Sequence, residues 1–476
     1  MVRYTMTKGL PLYEQLARKI SEQIMLGVFR PGDRLPSIRE LSRTQSVAIN
    51  TVKEAYYRLE AAGVVELRPR YGIFVRPASQ PMSAPLEDTR QFDAAAATTS
   101  ELWHQVHRDS ESASLCPLGI FTLDDQALPS DALSRTLAGV IRRFPARSLR
   151  LPALRGELPL RRAVARRFAA AGCTVSPNEV LISSGCTDGL YMALTALTKP
   201  GDSIVVEHPF FSSVLQLWET LGLSIIEIPS SPETGVHVPM LEHTFRERAP
   251  AACILVSTFS NPVGSTIPAE NKKRIAQLAA RYSVPIIEDD VFGDLPHDGV
   301  RRPMIKSFDT SGEVVVVSSF SKTVAPGYRT GWIVPGRYQQ EIERLKAAAS
   351  HAAATPVQLA LAEFLDSGRY DRHLRRLQRR YLSNMTQMME GIERYFPAGT
   401  RFSRPKGGLV FWLEFCASID TPTLYNRARE AGIAITPGTV FTLTGALKNG
   451  LRLSFTRWDE RIEHGLTTVG ELAKSL

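Results

Sequence analysis

The sequence predicts a multidomain chain. A small N-terminal winged helix-turn-helix (α+β) precedes a large α/β body with a mostly parallel sheet, which ends in a small α+β subdomain. Three observations predict this. Residues 12–76 carry three short helical patterns and one strand hairpin. From about residue 117, short apolar runs alternate with helical patterns or long crossovers, the rhythm of a parallel sheet covered on both faces. The 476-residue length exceeds what one hydrophobic core fills, so two or three domains are expected.

Leu12, Leu16, Ile20 and Ile24 mark one face of a first helix that ends at Gly27. Pro31, Gly32 and Pro36 forbid helix before Ser37, and Ser37 with Glu40 three residues on forms a capping box that opens a second, short helix. After a break at residues 45–47, a third helix spans 48–62 and closes at Gly63. Residues 64–75 alternate as a hairpin around Arg68-Pro69-Arg70-Tyr71-Gly72, which reads as a wing. Two helices across a tight turn make a helix-turn-helix, whose second member enters the major groove. Charge agrees: residues 1–76 hold 13 Lys/Arg against 7 Asp/Glu, a net +6 of the chain's +9.

Residues 77–116 are rich in Pro, Ser, Ala and Thr and show little apolar periodicity beyond one turn of helix near 102–106. They are expected to form a tether without a core, reaching roughly 35 Å.

In the body, strands are expected at 180–182, 204–206, 225–228, 253–256, 285–287 and 314–317. The last, four valines, opens into Ser318, Ser319, Phe320, Ser321 and Lys322, with Pro326-Gly327 bending the chain before Arg329. A lysine in a partly dry pocket has a lowered pKa and condenses with aldehydes. Neighbouring serines and an arginine supply donors and charge for a phosphate. Aldehyde and phosphate together describe pyridoxal 5'-phosphate. Other strand ends fit: Ser184-Gly185-Cys186-Thr187 opens a helix, where free N–H groups bind anions. Glu288, Asp289 and Asp290 crowd three carboxylates that cannot all ionise without a cation such as a protonated pyridine. His208 reads as structural. A long helical region over 351–396, basic from 369 to 380, leads to strands at 409–413 and 451–455, the expected small subdomain.

No run approaches the roughly 18 apolar residues of a membrane span, and the N-terminus has no apolar signal region. Cysteines 116, 173, 186, 253 and 416 include no C-x-x-C pair, so a reduced, cytoplasmic protein without a metal site is expected.

The P-G-x-x-L-P-S-x-R-x-L core with its wing resembles the GntR winged helix-turn-helix. The longer pattern S-F-S-K-x-x-A-P-G-x-R-x-G-W resembles the lysine segment of fold-type I aminotransferases, in the form carried by the MocR-type subfamily of GntR regulators. The likeness covers residues 10–76 and about 117–470, and implies domains at 1–76 and 117–476 with a linker between. It implies that Arg39, Asn50, Thr51 and Lys53 face DNA, with Asn50 able to read adenine and Arg39 and Lys53 holding phosphates. Arg68 and Arg70 on the wing would reach backbone or minor groove.

For the cofactor, the resemblance implies an internal aldimine on Lys322. The phosphate would lie at Gly185, Cys186 and Thr187 with Ser319, Ser321 and Arg329, and Phe211 would stack on the ring. Asn261 would reach the 3'-oxygen, Asp289 the ring nitrogen, and Arg452 a ligand carboxylate. Two departures stand out. Phe292 replaces the usual tyrosine, and residues 148–156 lack the tyrosine that many relatives lend a neighbouring subunit. The implied protein is a head-to-tail homodimeric transcription factor that senses the cofactor or an amino-acid-like amine. A working aminotransferase with a DNA anchor, and a cofactor-free scaffold, remain as alternative readings.

Overall fold

The computed structural model describes residues 11–68, 71–76, 93–121, 123–349 and 351–476. The chain divides into two compact units, Met1–Pro81 and Met82–Leu476.

In the first unit, helix α1 (Leu12–Met25) is followed by strand β1 (Arg34–Leu35), helices α2 (Ile38–Gln45) and α3 (Ile49–Ala61), and strands β2 (Val65–Arg68) and β3 (Gly72–Val75). The predicted capping box forms: the Ser37 hydroxyl accepts from the Glu40 N–H, and the Glu40 carboxylate accepts from the Ser37 N–H. Ser46, at φ 51°, turns the chain between α2 and α3. The angle between the helices is pinned by a buried tyrosine, whose Tyr56 hydroxyl donates to the Pro36 carbonyl at 2.6 Å. Leu16, Ile20, Leu41, Val52, Leu59 and Val65 form much of the core. The strands pair antiparallel in the order β1-β3-β2, so the wing hairpin is tied back to the turn before α2.

The second unit carries β4 (Ala95–Ala96), helix α4 (Glu101–Ser110), β5 (Leu181–Ser183), β6 (Ser203–His208), β7 (Ser224–Ser231), β8 (Gly235–Val236), β9 (Ala252–Leu255), β10 (Ile286–Asp289), β11 (Val314–Ser319) and β12 (Gly331–Val334). Their order is β4-β7-β6-β9-β10-β11-β12-β5, with β8 paired off β7. The run from β7 to β11 is parallel, while β4, β8, β12 and β5 join antiparallel. Val314 to Val317 are fully buried, as a strand covered on both faces requires. β12 was absent from the sequence expectations: Gly331 to Val334 is a short apolar run that follows the lysine turn and folds straight back on β11.

The expected tether is corrected from residue 93 onward, while 77–92 lies outside the described residues. Ala95 and Ala96 pair with β7, and α4 packs on the body. Ser100 caps α4, accepting from the Trp103 N–H at 3.1 Å, and Trp103, Val106 and Asp109 are buried. The Trp103 indole N–H donates to the Ser212 carbonyl at 2.9 Å, and Asp109 pairs with Arg429 at 3.0 Å. Two apolar residues at helical spacing are enough here, because one of them is tryptophan.

The small subdomain has antiparallel strands β13 (Arg401–Phe402), β14 (Val410–Glu414), β15 (Thr436–Pro437) and β16 (Gly450–Ser454), in the order β13-β14-β16-β15. The long helix Arg369–Tyr395 packs against the helix Glu460–Lys474. No helix among the described residues is long and apolar enough to cross a membrane.

Candidate functional site

The C-terminal ends of the parallel strands converge, and the loops that leave them build a cradle. After β5, Gly185 adopts φ 107° and ends as the N-cap of the helix Cys186–Leu197, with no side chain capping it. The first amides of that helix are therefore open to an anion. A Cβ at Gly185 would fall 2.6 Å from Arg329 Nη2, so only glycine lets the guanidinium lie against this turn. Arg329 donates to Ser321 Oγ and to the Ser184 carbonyl, both at 3.4 Å. Ser319 Oγ accepts from the Ser321 N–H at 3.3 Å, which fixes the serine turn. The glycine turn of Gly185, Cys186 and Thr187 and the serine turn of Ser319 and Ser321 thus leave the same end of β5 and β11, and Arg329 bridges them.

Lys322 follows in the same turn, and its ammonium sits over the ring of Phe121, 4.1 Å from the centroid and 3.3 Å from the Phe121 carbonyl. The side chain is enclosed by protein yet faces an open cavity. Burial pushes its pKa down to about 8, with Arg452 adding to the shift and Asp289 opposing it. The three acids after β10 separate into different roles. Glu288 accepts from Ser257 Oγ and from the Ile305 and Lys306 N–H groups, and Asp290 pairs with Arg301. Asp289 has only the Val291 N–H at 3.0 Å and the Cys186 thiol at 3.6 Å, with no ion pair among the described residues. Burial raises its pKa to about 6. A buried carboxylate without a cation is suited to a protonated ring nitrogen.

Across the cavity, Arg452 on β16 is buried, and its Nη2 donates to the Gly119 carbonyl at 2.6 Å and to Thr436 Oγ1 at 3.2 Å. Its Nη1 donates to Asn261 Oδ1 at 3.1 Å, which fixes the amide so that Nδ2 points away; Nδ2 is buried with no partner among the described residues. Arg452 Nε is likewise buried and unpartnered, and no acid among the described residues pairs with the guanidinium. Burial alone pushes its pKa down to about 9, so it remains a cation near neutrality and an anion site by default. Phe211 lies after β6, its ring 6.1 Å from that of Phe121, and the Phe292 ring lies 6.4 Å from that of Phe121. The buried Phe292 offers no hydroxyl where the usual tyrosine would. His208 is buried against Glu227 behind the stacking loop, a structural role as expected.

Sequence reasoning missed Gly119, Phe121, Thr436 and the α4 residues Val106 and His107, which line the same cavity of about 270 Å³. Gly119 carries a legible constraint only once the fold is known: a Cβ there would meet Thr436 Oγ1 at 2.5 Å.

In the first unit, Arg39 on α2 and Asn50 and Lys53 at the start of α3 are exposed, and Thr51 is half-buried beside them. Arg68 is held by Glu66 and lies over the Phe74 ring, 4.7 Å away, while Arg70 lies outside the described residues.

Residues 12–75 match the family of bacterial regulatory proteins of the gntR type, and residues 141–469 match aminotransferase class I and II. The chain is 34% identical over 469 residues to the HTH-type transcriptional regulator YjiR of Escherichia coli K12, covering 96% of this chain and 98% of the relative. The crystal structure of a multiple substrate aminotransferase from Thermococcus profundus superposes with a TM-score of 0.74 at 27% identity, over 79% of this chain and 96% of that one. LysN of Thermus thermophilus, an α-aminoadipate aminotransferase solved with N-(5'-phosphopyridoxyl)-L-leucine, gives 0.72 at 25%, over 79% and 95%. Fold and site together define a transcription regulator whose body has the pyridoxal-phosphate-dependent aminotransferase fold. The chain belongs to the MocR-type subfamily of GntR regulators.

The residues present fit the cofactor. An uncapped helix start with Arg329, an acid lacking a cation, an orphaned Asn261 amide and a low-pKa lysine match its phosphate, ring nitrogen, 3'-oxygen and aldehyde in turn. Once bound, that group supplies a carbon open to reversible attack by amines and a ring that accepts electron density.

Proposed function

We propose that the body is an amino-acid-responsive switch for the DNA reader. Lys322 presents an amine to the cofactor, Asp289 holds a proton at its ring nitrogen, and Arg452 grips the carboxylate of an incoming amino acid. The observation that carries this reading is Arg452: a guanidinium buried without an acid, facing the same cavity as Lys322. Buried charges of this kind are costly unless a ligand neutralises them.

Arg39, Asn50, Thr51, Lys53, Arg68 and Arg70 form the proposed DNA face, with Asn50 reading a base and the cations holding phosphates. A head-to-tail homodimer is part of the proposal. Support for a partner copy comes from Leu149 and Leu151, exposed at 89% and 74%, beside the exposed Ile141 and Phe144. They fall in the stretch where relatives resembling this chain lend a residue to the neighbouring subunit. Five free cysteines agree with a cytoplasmic, reducing location.

Ligands shift a conformational equilibrium only by binding its states unequally. Footprinting on the DNA upstream of the chain's own gene, with and without pyridoxal 5'-phosphate and candidate amino acids, tests the proposal. The expected result is a protected site whose pattern changes with the amino acid only when the cofactor is present. An unchanged pattern, together with sustained turnover of an amino donor and an oxo-acid acceptor, would instead identify an aminotransferase. Lysine, acid and arginine are all in place for that chemistry, although Phe292 removes one hydroxyl from it.

A further inference from the structure

The cavity of Lys322 and Arg452 has one wall that the lysine chemistry does not use. Helix α4 contributes Val106, His107 and Ser110 to it, and Glu111 follows at its rim. Ser212 and Ser213, after the stacking loop, complete the polar lining. We infer that this wall reads the far end of the ligand, and that it selects an amino acid whose side chain ends in a hydrogen-bond donor (an amide, hydroxyl or ammonium) over one ending in a carboxylate. The inference rests on the proposed reading of the site as an amino-acid sensor.

His107 decides the chemistry. Its ring stacks on Trp103, centroids 3.8 Å apart, and its Nδ1 lies 3.1 Å from the Trp103 carbonyl oxygen. A carbonyl only accepts, so Nδ1 carries the proton of the neutral ring and Nε2 presents a lone pair. Burial lowers the His107 pKa, with Arg452 and His104 adding to the shift and the Trp103 hydrogen bond and Glu111 opposing it, and the net direction favours that neutral form. Trp103 is itself buried and anchored to Ser212, so the imidazole is set in place before any ligand arrives.

The charges on the lining point the same way. Its cations are Lys322 and Arg452; on the proposed reading the first carries the cofactor and the second takes the carboxylate common to every amino acid, so neither is left for the side chain. The remaining charged group is Glu111, an acid. A second carboxylate on the ligand would meet a lone pair and a negative charge. A donor would meet two acceptors, beside the hydroxyls of Ser212 and Ser213, while the Ser110 hydroxyl is already committed to the His107 carbonyl at 2.7 Å.

The test uses the full-length protein loaded with pyridoxal 5'-phosphate, following the cofactor's absorption band. It is titrated with L-glutamine and L-lysine against their near-isosteres L-glutamate and L-norleucine. The donor-tipped members should half-saturate at concentrations about tenfold lower than their counterparts, the scale of one hydrogen bond gained. His107→Leu should erase the preference for lysine over norleucine, and His107→Gln, which retains an acceptor, should keep part of it. Glu111→Gln, on the exposed rim, should narrow the gap between glutamine and glutamate alone. Circular dichroism verifies that each variant is folded.

A preference for glutamate, or a lysine preference that survives in folded His107→Leu, overturns the inference and leaves the sensor reading intact. If the cofactor binds but none of the four amino acids moves the band, the sensor reading falls and takes this inference with it.

Discussion

The two units place their working charges in opposite ways. In the DNA reader, the cations Arg39 and Lys53, proposed to hold phosphates, stand exposed on helices whose inner faces hold the unit together, so the proposed contact surface and the core are separate. In the body, Asp289 and Arg452 are buried and Lys322 is enclosed, each with its proton affinity displaced by that burial. Exposed charges act by number, are screened by salt and are individually replaceable. Enclosed charges act by position, and each has a task its neighbour cannot take over. Single substitutions should therefore be all-or-none in the body and graded in the reader.

Lys322→Ala is the strongest test of that contrast. Borohydride treatment followed by mass spectrometry should find the cofactor fixed to the wild-type peptide and absent from the variant. The spectral response to amino acids should be lost with it. Cofactor fixed to another lysine in the variant would show that position is not decisive and would break the comparison.

Arg452→Gln comes next. Removing a charge-assisted contact costs about 2–3 kcal/mol, so amino-acid affinity should fall by roughly 10²-fold. The corresponding decarboxylated amine, titrated against the same absorption band, should lose far less. An equal loss for both would mean that Arg452 shapes the cavity through Asn261 and Gly119 instead of gripping a carboxylate.

The shifted proton affinities predict a pH profile for cofactor uptake by cofactor-free protein. Condensation needs the neutral amine, and Lys322 is depressed to about 8. Uptake should therefore slow by about tenfold per pH unit below 8 and level off above it, the sign expected for a base that must lose its proton. Asp289, raised to about 6, becomes neutral below that pH and ceases to attract a ring cation, so cofactor retention should weaken further on the acid side. Stopped-flow absorbance between pH 5 and 9 checks both, and a rate that keeps climbing about tenfold per unit through pH 9, with no plateau, would place the lysine in ordinary solvent.

How much of this was legible differs between the units for physical reasons. The reader's elements are local: capping, turn and helix periodicity lie within a few residues, so Ser37, Glu40, Gly63 and the 64–75 hairpin could be read directly. The body's parallel strands announced themselves as apolar runs, with the site's lysine and acid at their ends, while the arginine lay inside the antiparallel strand β16. The antiparallel return β12 went unseen because its four residues have no turn signature of their own. Only one turn of helix α4 was legible, near 102–106, and its docking was hidden by polar composition, since it depends mainly on Trp103 and on an Asp109 whose partner Arg429 lies 320 residues away. Phe121 and Gly119 carry no local mark at all. Their importance arises from Arg452 and Lys322 folding over them, which no window of sequence contains.

The weakest expected effect lies on the reader, and it sharpens the contrast because of its size. Lys53 is exposed near the start of α3 and, as the proposed phosphate contact, would release counterions from DNA on binding. Lys53→Ala should weaken binding only a few-fold at moderate salt, by about the same factor on specific and unrelated duplexes. The log–log slope of affinity against salt should become shallower by about 1. Asn50 and the apolar core beneath α3 are untouched, so thermal stability should hold. Fluorescence anisotropy across a salt series measures all of this. A large loss confined to the specific duplex, with the slope unchanged, would mean that Lys53 reads a base edge, so that even the reader contains a charge whose position matters more than its number.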